Sequence, residues 1–469
     1  MVSAAGSVVL PRRTPMSGGW RLLGHEARVL LRSRSFWLAW ALLIACGFLA
    51  LLQGRDLLLS QQALMAQLPE LQQTEQALLE QRYQNGTDAG NVGYYLFLPT
   101  SHPPSSWAAL AVGLRDSLPV TMKVRLLGLY SQLFDAELVN PLTAAAGPFD
   151  FAFFILFIVP VWLIVLSHGL LARDREDGTA ALLQAQGGRA WLLLWIRLGL
   201  RVGLALLAVL LLLLAGLVWL QLAADQRLLY WLVLTLGYIG FWSVLCALIV
   251  ALRRSSAWSL LMLLVLWALL TLVAPAAVSA WVDQRYPVAD APVLQLKQRE
   301  VVHTGWDLPK ETTFARFFQT HPEWSETAPV TERFHWKWYY AMHQVGDDSI
   351  AAELTDYRDR LEAREAWVRR LGYVVPVVGM QRGFAGVAQT DLADHLHYQD
   401  SIKTFHDQLR VFFYPYLFND RPFELADFAR IPSHQWQPAP LRSPWGSALG
   451  MLAWIALGLV VSQRLLRRQ

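Results

Sequence analysis

The sequence predicts an all-α membrane protein with six transmembrane helices and two mostly helical insertions on the outer side of the membrane. Three observations lead to this fold class. Hydrophobic residues make up 55% of the 469 residues and charged residues only 16%, whereas soluble domains carry about 25% charged residues. The apolar residues are concentrated in long runs. The basic residues gather at one set of ends of those runs.

The apolar runs define the predicted spans, because a helix needs about 20 mostly apolar residues to cross the hydrocarbon layer. Five runs meet this requirement well, and the last is shorter but adequate. The first run lies too deep in the chain, with no small-residue cleavage site after it, to be a signal peptide. The spans are predicted at 36–53, 149–171, 199–222, 228–252, 257–281 and 445–463.

The polar segments between the spans predict the remaining organisation. Residues 1–35 are expected to form a tail and an amphipathic helix, 172–198 a loop, and 464–469 a second tail. Residues 54–148 and 283–444 are expected to form two separate domains, the first with one or two helices interrupted near Pro69. Asp347-Asp348 looks like the start of a helix, where acidic groups favour the helix dipole. Both cysteines lie in spans, so the two domains are expected to fold on their own cores.

The distribution of charge predicts the orientation. Of 40 basic and 36 acidic residues, 23 and 30 lie in the two large polar segments, which leaves 17 basic and 6 acidic residues elsewhere. Sixteen of those 17 basic residues fall at ends that six alternating crossings place on one side. Because basic loops stay in the cytoplasm, both termini are predicted to be cytoplasmic and both domains to lie on the outer side of the membrane. The basic excess then reports topology, and no nucleic-acid partner is predicted.

The loop after the second span carries the most informative pattern. Surface charges are followed by Gly178, where a helix would break, and by Thr179, which could cap a short helix. The apolar residues after it could enter a groove of a partner protein. The alternative is an ordinary solvated basic connector. The residues that carry this prediction are Arg173, Arg175, Glu176, Asp177, Gly178, Thr179, Leu182 and Leu183.

The stretch before the first span is the second informative pattern. In residues 18–35, apolar residues recur at roughly helical spacing among charged residues such as Glu26, Arg28 and Arg32. This pattern predicts an amphipathic helix that lies on membrane lipid at the inner leaflet. The alternative is a basic flank that only fixes the topology of the first span.

Both stretches resemble ABC-2 type permeases, the membrane subunits of type II ABC exporters. Arg175-Glu176-Asp177-Gly178-Thr179 with Leu182-Leu183 resembles the "E-R-E-x-G-T-L-x-L-L" pattern of their first cytoplasmic loop. His25 to Trp37 resembles their "K-E-x-x-x-x-x-R-S-R-x-F-W" entry to the first span. The resemblance covers the membrane portion, about half of the chain, and points to a subfamily with large periplasmic insertions. Departures are Arg197, where lysine is usual, and Gly187-Gly188, which replace Val-Ser.

The resemblance implies a mechanism and partners. Residues 173–189 would be the coupling helix, which sits in a cleft of a separate ATPase subunit, and residues 18–35 would be the connecting helix. ATP and Mg would bind in that partner, because this chain has no Gly-x-x-x-x-Gly-Lys-Ser/Thr motif. A six-span permease is half of a transporter, so a second copy or a paralogous permease is also implied. The chain itself is not expected to be an enzyme.

The second large segment offers two weaker candidate sites. Trp306, Trp324, Trp336, Trp338 and Tyr339 could contact a periplasmic ligand or protein, or could be ordinary core aromatics. His395, His397 and His406, near Asp391 and Asp394, suggest a metal, but His395 and His397 point apart on one helix, so no metal site is predicted.

Two other classes of function stay open. One is a membrane-anchored envelope assembly or scaffold protein that binds a partner through its periplasmic domains. The other is an envelope enzyme, although neither Gly-x-Ser-x-Gly nor His-Glu-x-x-His occurs.

Overall fold

The computed structural model describes residues 16–134, 148–185, 190–288 and 291–467. These residues are mostly helical, and six helices among them are long and apolar enough to cross a membrane. The prediction of six apolar helices is therefore confirmed. They are Arg34–Arg82, Phe151–Glu176, Ala190–Trp219, Gln226–Ala251, Ser256–Arg285 and Trp445–Leu465. The predicted tail 1–15, residues 186–189 of the predicted coupling helix, Arg468-Gln469 of the second tail and parts of the segments 54–148 and 283–444 lie outside the described residues.

The elements follow one another along the chain in three groups. The first group is α1 (Met16–Arg32), α2 (Arg34–Arg82), β1 (Thr87–Asp88), α3 (Ala89–Tyr95), β2 (Leu98–Ser101), β3 (Thr121–Val124) and α4 (Leu129–Leu133). The second is α5 (Phe151–Phe153), α6 (Val159–Ser167), α7 (Ala172–Glu176), α8 (Ala180–Ala185), α9 (Ala190–Trp219), α10 (Gln226–Ala251), α11 (Ser256–Ala268) and α12 (Ala274–Arg285). The third is α13 (Ala291–Thr304), α14 (Lys310–Thr320), α15 (Trp336–Asp348), α16 (Ala351–Gly372), α17 (Pro376–Ala388), α18 (Leu392–Phe418), β4 (Pro422–Phe423), α19 (Leu425–Phe428) and α20 (Trp445–Arg467).

The apolar bundle is built around α10. Its Trp231, Tyr238 and Trp242 are fully buried, and the Tyr238 hydroxyl donates to the Leu156 carbonyl at 2.9 Å. Two π-helical turns, Phe154–Ile158 and Leu269–Val273, join α5 to α6 and α11 to α12. The helix α9 starts at Ala190, so the loop is shorter than the predicted range 172–198.

Helix α2 runs without interruption past Pro69, so the predicted break is wrong. Proline removes one backbone hydrogen bond, but contacts with the rest of the protein hold the helix on both sides. Before the proline, Gln61 exchanges hydrogen bonds of 2.9 and 3.0 Å with Arg115. After it, Leu79 is buried. At 1.5 Å per residue, α2 extends about 70 Å and rises well beyond the bundle.

The two large polar segments form one domain, which we call the polar domain. Strand β1 from the first segment pairs with β4 from the second, with Thr87 opposite Phe423. Leu79, Val92 and Leu126 share a core with Phe317, Tyr340 and Phe413. The prediction of two separate domains is therefore replaced by one domain with a common core. Both segments leave the bundle at the same end, so their apolar faces cover each other.

The polar domain is seated directly on the bundle. Phe384 of α17 packs on Trp231 of α10, with ring centroids 4.5 Å apart. The Trp107 indole donates to the Ala223 carbonyl, which lies between α9 and α10, at 3.1 Å. These contacts make the domain and the bundle a continuous structure. The opposite end of the bundle, with α1, α7, α8 and the turn at Arg253-Arg254, is called the loop side.

Gly54 allows α2 to lie against the backbone of the polar domain. A Cβ atom there would be 1.8 Å from the Ala109 carbonyl oxygen, so Gly54→Ala is expected to destabilise the protein by about 1–3 kcal/mol through overpacking. Gly203→Ala is the matched control, because no atom lies within 4 Å of that position. Its expected effect is zero or a gain of up to about 1 kcal/mol from helix propensity. Thermal unfolding in detergent measures both, and equal melting temperatures would contradict the close approach.

Candidate functional site

An arginine joins three elements on the loop side. The Arg197 guanidinium in α9 contacts the Asp174 carboxylate of α7 at 2.5 Å and the Glu26 carboxylate of α1 at 2.9 Å. It also donates to the Leu170 carbonyl at 2.6 Å. All three charged side chains are no more than 20% exposed. Such half-buried, charge-assisted contacts are stronger than surface ion pairs, so α1, α7 and α9 are held as one unit.

The end of α6 explains why arginines gather here. The last carbonyls of a helix have no partner within the helix, and cationic side chains satisfy them well. Arg201 donates to the Leu166 carbonyl at 2.7 Å and to the Arg197 carbonyl at 2.7 Å. The loop therefore leaves α6 in a fixed direction.

The first half of the loop is docked onto the turn between α10 and α11. The Glu176 carboxylate accepts from the backbone N–H of Ser256 at 2.7 Å, at the start of α11. This position favours a negative charge because helix N-termini carry free N–H groups. The Arg175 guanidinium donates to the Arg254 carbonyl at 2.7 Å. The loop is therefore bonded to the start of the fifth apolar helix as well as to the third.

The second half of the loop projects from the protein. Gly178 has φ +73°, and no atom lies within 4 Å of where its Cβ would be. The Thr179 hydroxyl donates to the Asp174 carbonyl at 3.1 Å, which ties α8 to α7. Leu182 of α8 is 64% exposed. The short helix thus presents an apolar side chain next to exposed charges of Arg173, Arg175 and Asp177. Leu183 lies in α8, but its side chain lies outside the described ones.

Helix α1 has a packed face and a free face. Leu22 and Leu30 pack against the bundle, and Glu26 lies on the same face. Arg28 and Arg32 are exposed, and Trp20 is 77% exposed. Of the predicted connecting-helix residues, only Glu26 therefore joins the charged cluster. The sequence reading missed the role of Arg197, although an arginine near the end of a span, with two acidic residues near the same membrane surface, was a detectable signal.

The predicted aromatic site is divided. Trp306 packs on Trp338 and Tyr339 with ring centroids 5.0 and 5.7 Å apart, and Tyr339 packs on Trp336. Trp324 lies elsewhere, stacked on Phe418 at 5.5 Å. Trp338 is buried, whereas Trp306 is 46% exposed. The rings mainly fill space within the polar domain, which favours the core interpretation for Trp338.

The histidines of α18 serve as hydrogen-bonding groups. His406 Nε2 lies 2.8 Å from the Leu127 carbonyl, and His397 Nε2 lies 2.9 Å from the Gln437 carbonyl. Burial, with the nearby Arg115 charge, lowers the pKa of His395 to about 4. In the described ranges, no three His, Cys, Asp or Glu side chains come together as metal ligands would.

Comparison with known proteins gives one result. A family model described as a domain of unknown function (DUF3526) matches residues 293–437, which lie within the second polar segment and outside the six apolar helices. No curated protein and no solved structure matches the chain.

Proposed function

We propose that this chain is the permease subunit of an ATP-driven ABC-2 type transporter, an exporter coupled to a separate ATPase subunit. The observation that carries the proposal is the loop side. There, an exposed short helix with Leu182 at its surface is tied through Asp174 and Arg197 to Glu26 of an amphipathic helix. A loop that only connected two spans would need neither the docked half nor the projecting one.

In this proposal the loop side faces the cytoplasm of a bacterial inner membrane, and the polar domain is periplasmic. The basic residues at the loop-side ends support this orientation. The exposed Arg28 and Arg32 of α1 would lie at the anionic lipid surface. The polar domain, built from both periplasmic insertions, would be free to contact a periplasmic protein.

The charged cluster provides a route for coupling. The ATPase subunit, which holds ATP and Mg, would receive α8 in a cleft and move it when its two nucleotide sites close. Because α7 is fixed to α9 through Arg197 and to α11 through Glu176, the displacement would turn these helices as a rigid body. A second permease copy or a paralogue would form the other half. The helix Ser256–Arg285 has only 11% of its most apolar stretch buried, which leaves it free to face that partner or lipid.

The test is co-purification of an ATPase subunit in detergent, followed by an ATPase assay. Glu176→Arg places a cation at the N-terminus of α11, and Gly178→Pro is incompatible with the positive φ. Both variants are expected to lower ATPase association or its stimulation at least tenfold.

The matched control is Glu70→Arg, the same change of charge at an exposed position of α2 in the polar domain. It is expected to leave ATPase association unchanged. If no ATPase co-purifies with the unaltered chain, or if both loop variants behave like Glu70→Arg, the loop is a connector and the scaffold function replaces the exporter.

A further inference from the structure

A cavity of about 820 Å³ lies where the apolar bundle meets the polar domain. Its walls are the polar-domain ends of the second and fifth apolar helices, together with α16 and α17. The walls nearest the bundle are apolar, and the side chains that line them are those of Phe153, Phe157, Val278 and Val282. This size is typical of sites for drug-sized molecules, and the apolar side chains suit a hydrocarbon or aromatic body.

The rest of this cavity is charged, with more acidic than basic groups. Four carboxylates line it and only two guanidinium groups do. Arg364 pairs with Asp283, and Arg382 pairs with Glu365 at 3.0 Å. The six charged residues that line the cavity are Asp150, Asp283, Glu365, Asp391, Arg364 and Arg382.

The two remaining carboxylates are held in different ways. Asp391 pairs with Arg442 at 3.1 Å, a residue that lines a neighbouring groove. Asp150 accepts hydrogen bonds from the backbone N–H groups of Val112 and Phe153, at 2.8 and 2.7 Å. In the described part of the chain, Asp150 therefore has backbone partners but no ion pair at the apolar end of the cavity.

The neighbouring groove has a volume of about 670 Å³ and a different character. Four arginines and four carboxylates line it, and Phe153, Phe157, Val278 and Val282 do not. Glu365, Arg382 and Asp391 line both the cavity and the groove. The Arg382–Glu365 ion pair thus stands between an apolar compartment at the bundle and a polar compartment in the polar domain.

We propose that the cavity binds a cationic amphiphile, with its apolar body against Phe153 and Val278 and its charged head toward Asp150, and that the Arg382–Glu365 pair separates this site from the polar groove. The excess of carboxylates attracts a cationic head and repels an anionic one. Breaking the ion pair would join the two compartments. This inference rests on the proposed export function for its physiological meaning, but binding itself needs no ATPase.

The experiment is equilibrium binding to the full chain in lipid nanodiscs, without an ATPase subunit and with empty nanodiscs as background. The probe is tetraphenylphosphonium, and tetraphenylborate has the same shape with the opposite charge. Saturable binding of the phosphonium alone is expected. Equal binding of both ions, or of neither, would overturn the proposal.

Variants locate the site. Val278→Trp fills the apolar end and should weaken phosphonium binding at least tenfold. Arg382→Gln leaves Glu365 without its partner and should tighten binding severalfold, whereas Glu365→Gln should weaken it. Tighter binding cannot come from misfolding. The Arg382→Gln result therefore tests the proposed site even if Val278→Trp fails to fold. If Arg382→Gln leaves phosphonium binding unchanged or weakens it, the proposed site is wrong.

Glu362→Gln is the control on the same helix, because Glu362 lines only the groove. Its phosphonium binding should equal that of the unaltered chain, and a change as large as that of Glu365→Gln would refute the assignment to the cavity. An ATPase that associates with a chain unable to bind the phosphonium would refute this inference alone. Selective binding by a chain with no ATPase partner would refute the exporter and leave the site in place.

Discussion

Replacing Arg410 with leucine is expected to destabilise the polar domain by about 3–5 kcal/mol, because it leaves a buried carboxylate without its counter-ion. Arg410 of α18 pairs with Asp347 of α15 at 2.5 Å, and Asp347 is only 3% exposed. Asp347 also accepts from the Leu129 N–H at 2.8 Å and from Gln298 at 3.2 Å. The cluster joins α4 from the first polar segment to α13, α15 and α18 from the second, so its loss affects the common core.

The effect should depend on pH in a defined direction. Burial raises the pKa of Asp347, and the Arg410 charge is the first of the factors that lower it again. Without Arg410 the pKa in the folded state rises further, while the unfolded value stays near 3.9. A group with a raised folded pKa stabilises the protein below its unfolded pKa and loses that contribution as the pH rises through the folded pKa. The stability deficit of Arg410→Leu should therefore shrink between pH 7 and pH 4.

Thermal unfolding of the purified chain at pH 7 and pH 5 measures this deficit. The control is Arg358→Leu, which breaks the exposed pair with Asp400 and should cost no more than about 1 kcal/mol at either pH. Arg410→Leu with Asp347→Leu should recover much of the loss, because no unpaired charge remains. If Arg410→Leu is as mild as Arg358→Leu, the buried pair does not hold the two segments together.

Asp347 also illustrates what the sequence could not predict. Local pattern suggested that Asp347 begins a helix, but it lies in the last turn of α15. Its partners Leu129 and Arg410 are 218 and 63 residues away. Local sequence contains no signal for such contacts. For this reason the sequence predicted neither the common core of the two polar segments nor the continuity of α2 past Pro69. Both depend on tertiary packing that overrides local preference.

The apolar helices were predictable because their signal is local. A run of about 20 apolar residues is sufficient by itself, and each predicted span falls on one of the six helices, although the first helix continues to Arg82, well beyond the predicted end at residue 53. The turn at Gly178 was also predictable, since a glycine directly follows the charged residues of the local motif. The role of Arg197 was harder to predict, because it joins Glu26 and Asp174 across 171 and 23 residues.

If the chain is the proposed permease subunit, Arg197→Gln is expected to reduce stimulation of the ATPase at least tenfold while the ATPase still associates with the chain. The neutral side chain can no longer pair with both carboxylates, so the half-buried Asp174 and Glu26 lose their shared counter-ion and α7 separates from α1 and α9. The exposed part of the loop, with Gly178 and Leu182, is unchanged. Glu176→Arg and Gly178→Pro differ in this respect, because they alter the docked and projecting parts of the loop directly.

Two further variants separate transmission from simple damage. Arg197→Lys keeps the charge but lacks the planar fork that reaches both carboxylates, so partial recovery of ATPase stimulation is expected. Arg28→Gln removes an exposed charge of α1 and should leave stimulation unchanged. Co-purification yield and ATPase rate are measured on the same samples. Equal losses of association and stimulation in Arg197→Gln would place Arg197 in the stability of the loop alone, and unaltered stimulation would remove it from the coupling route.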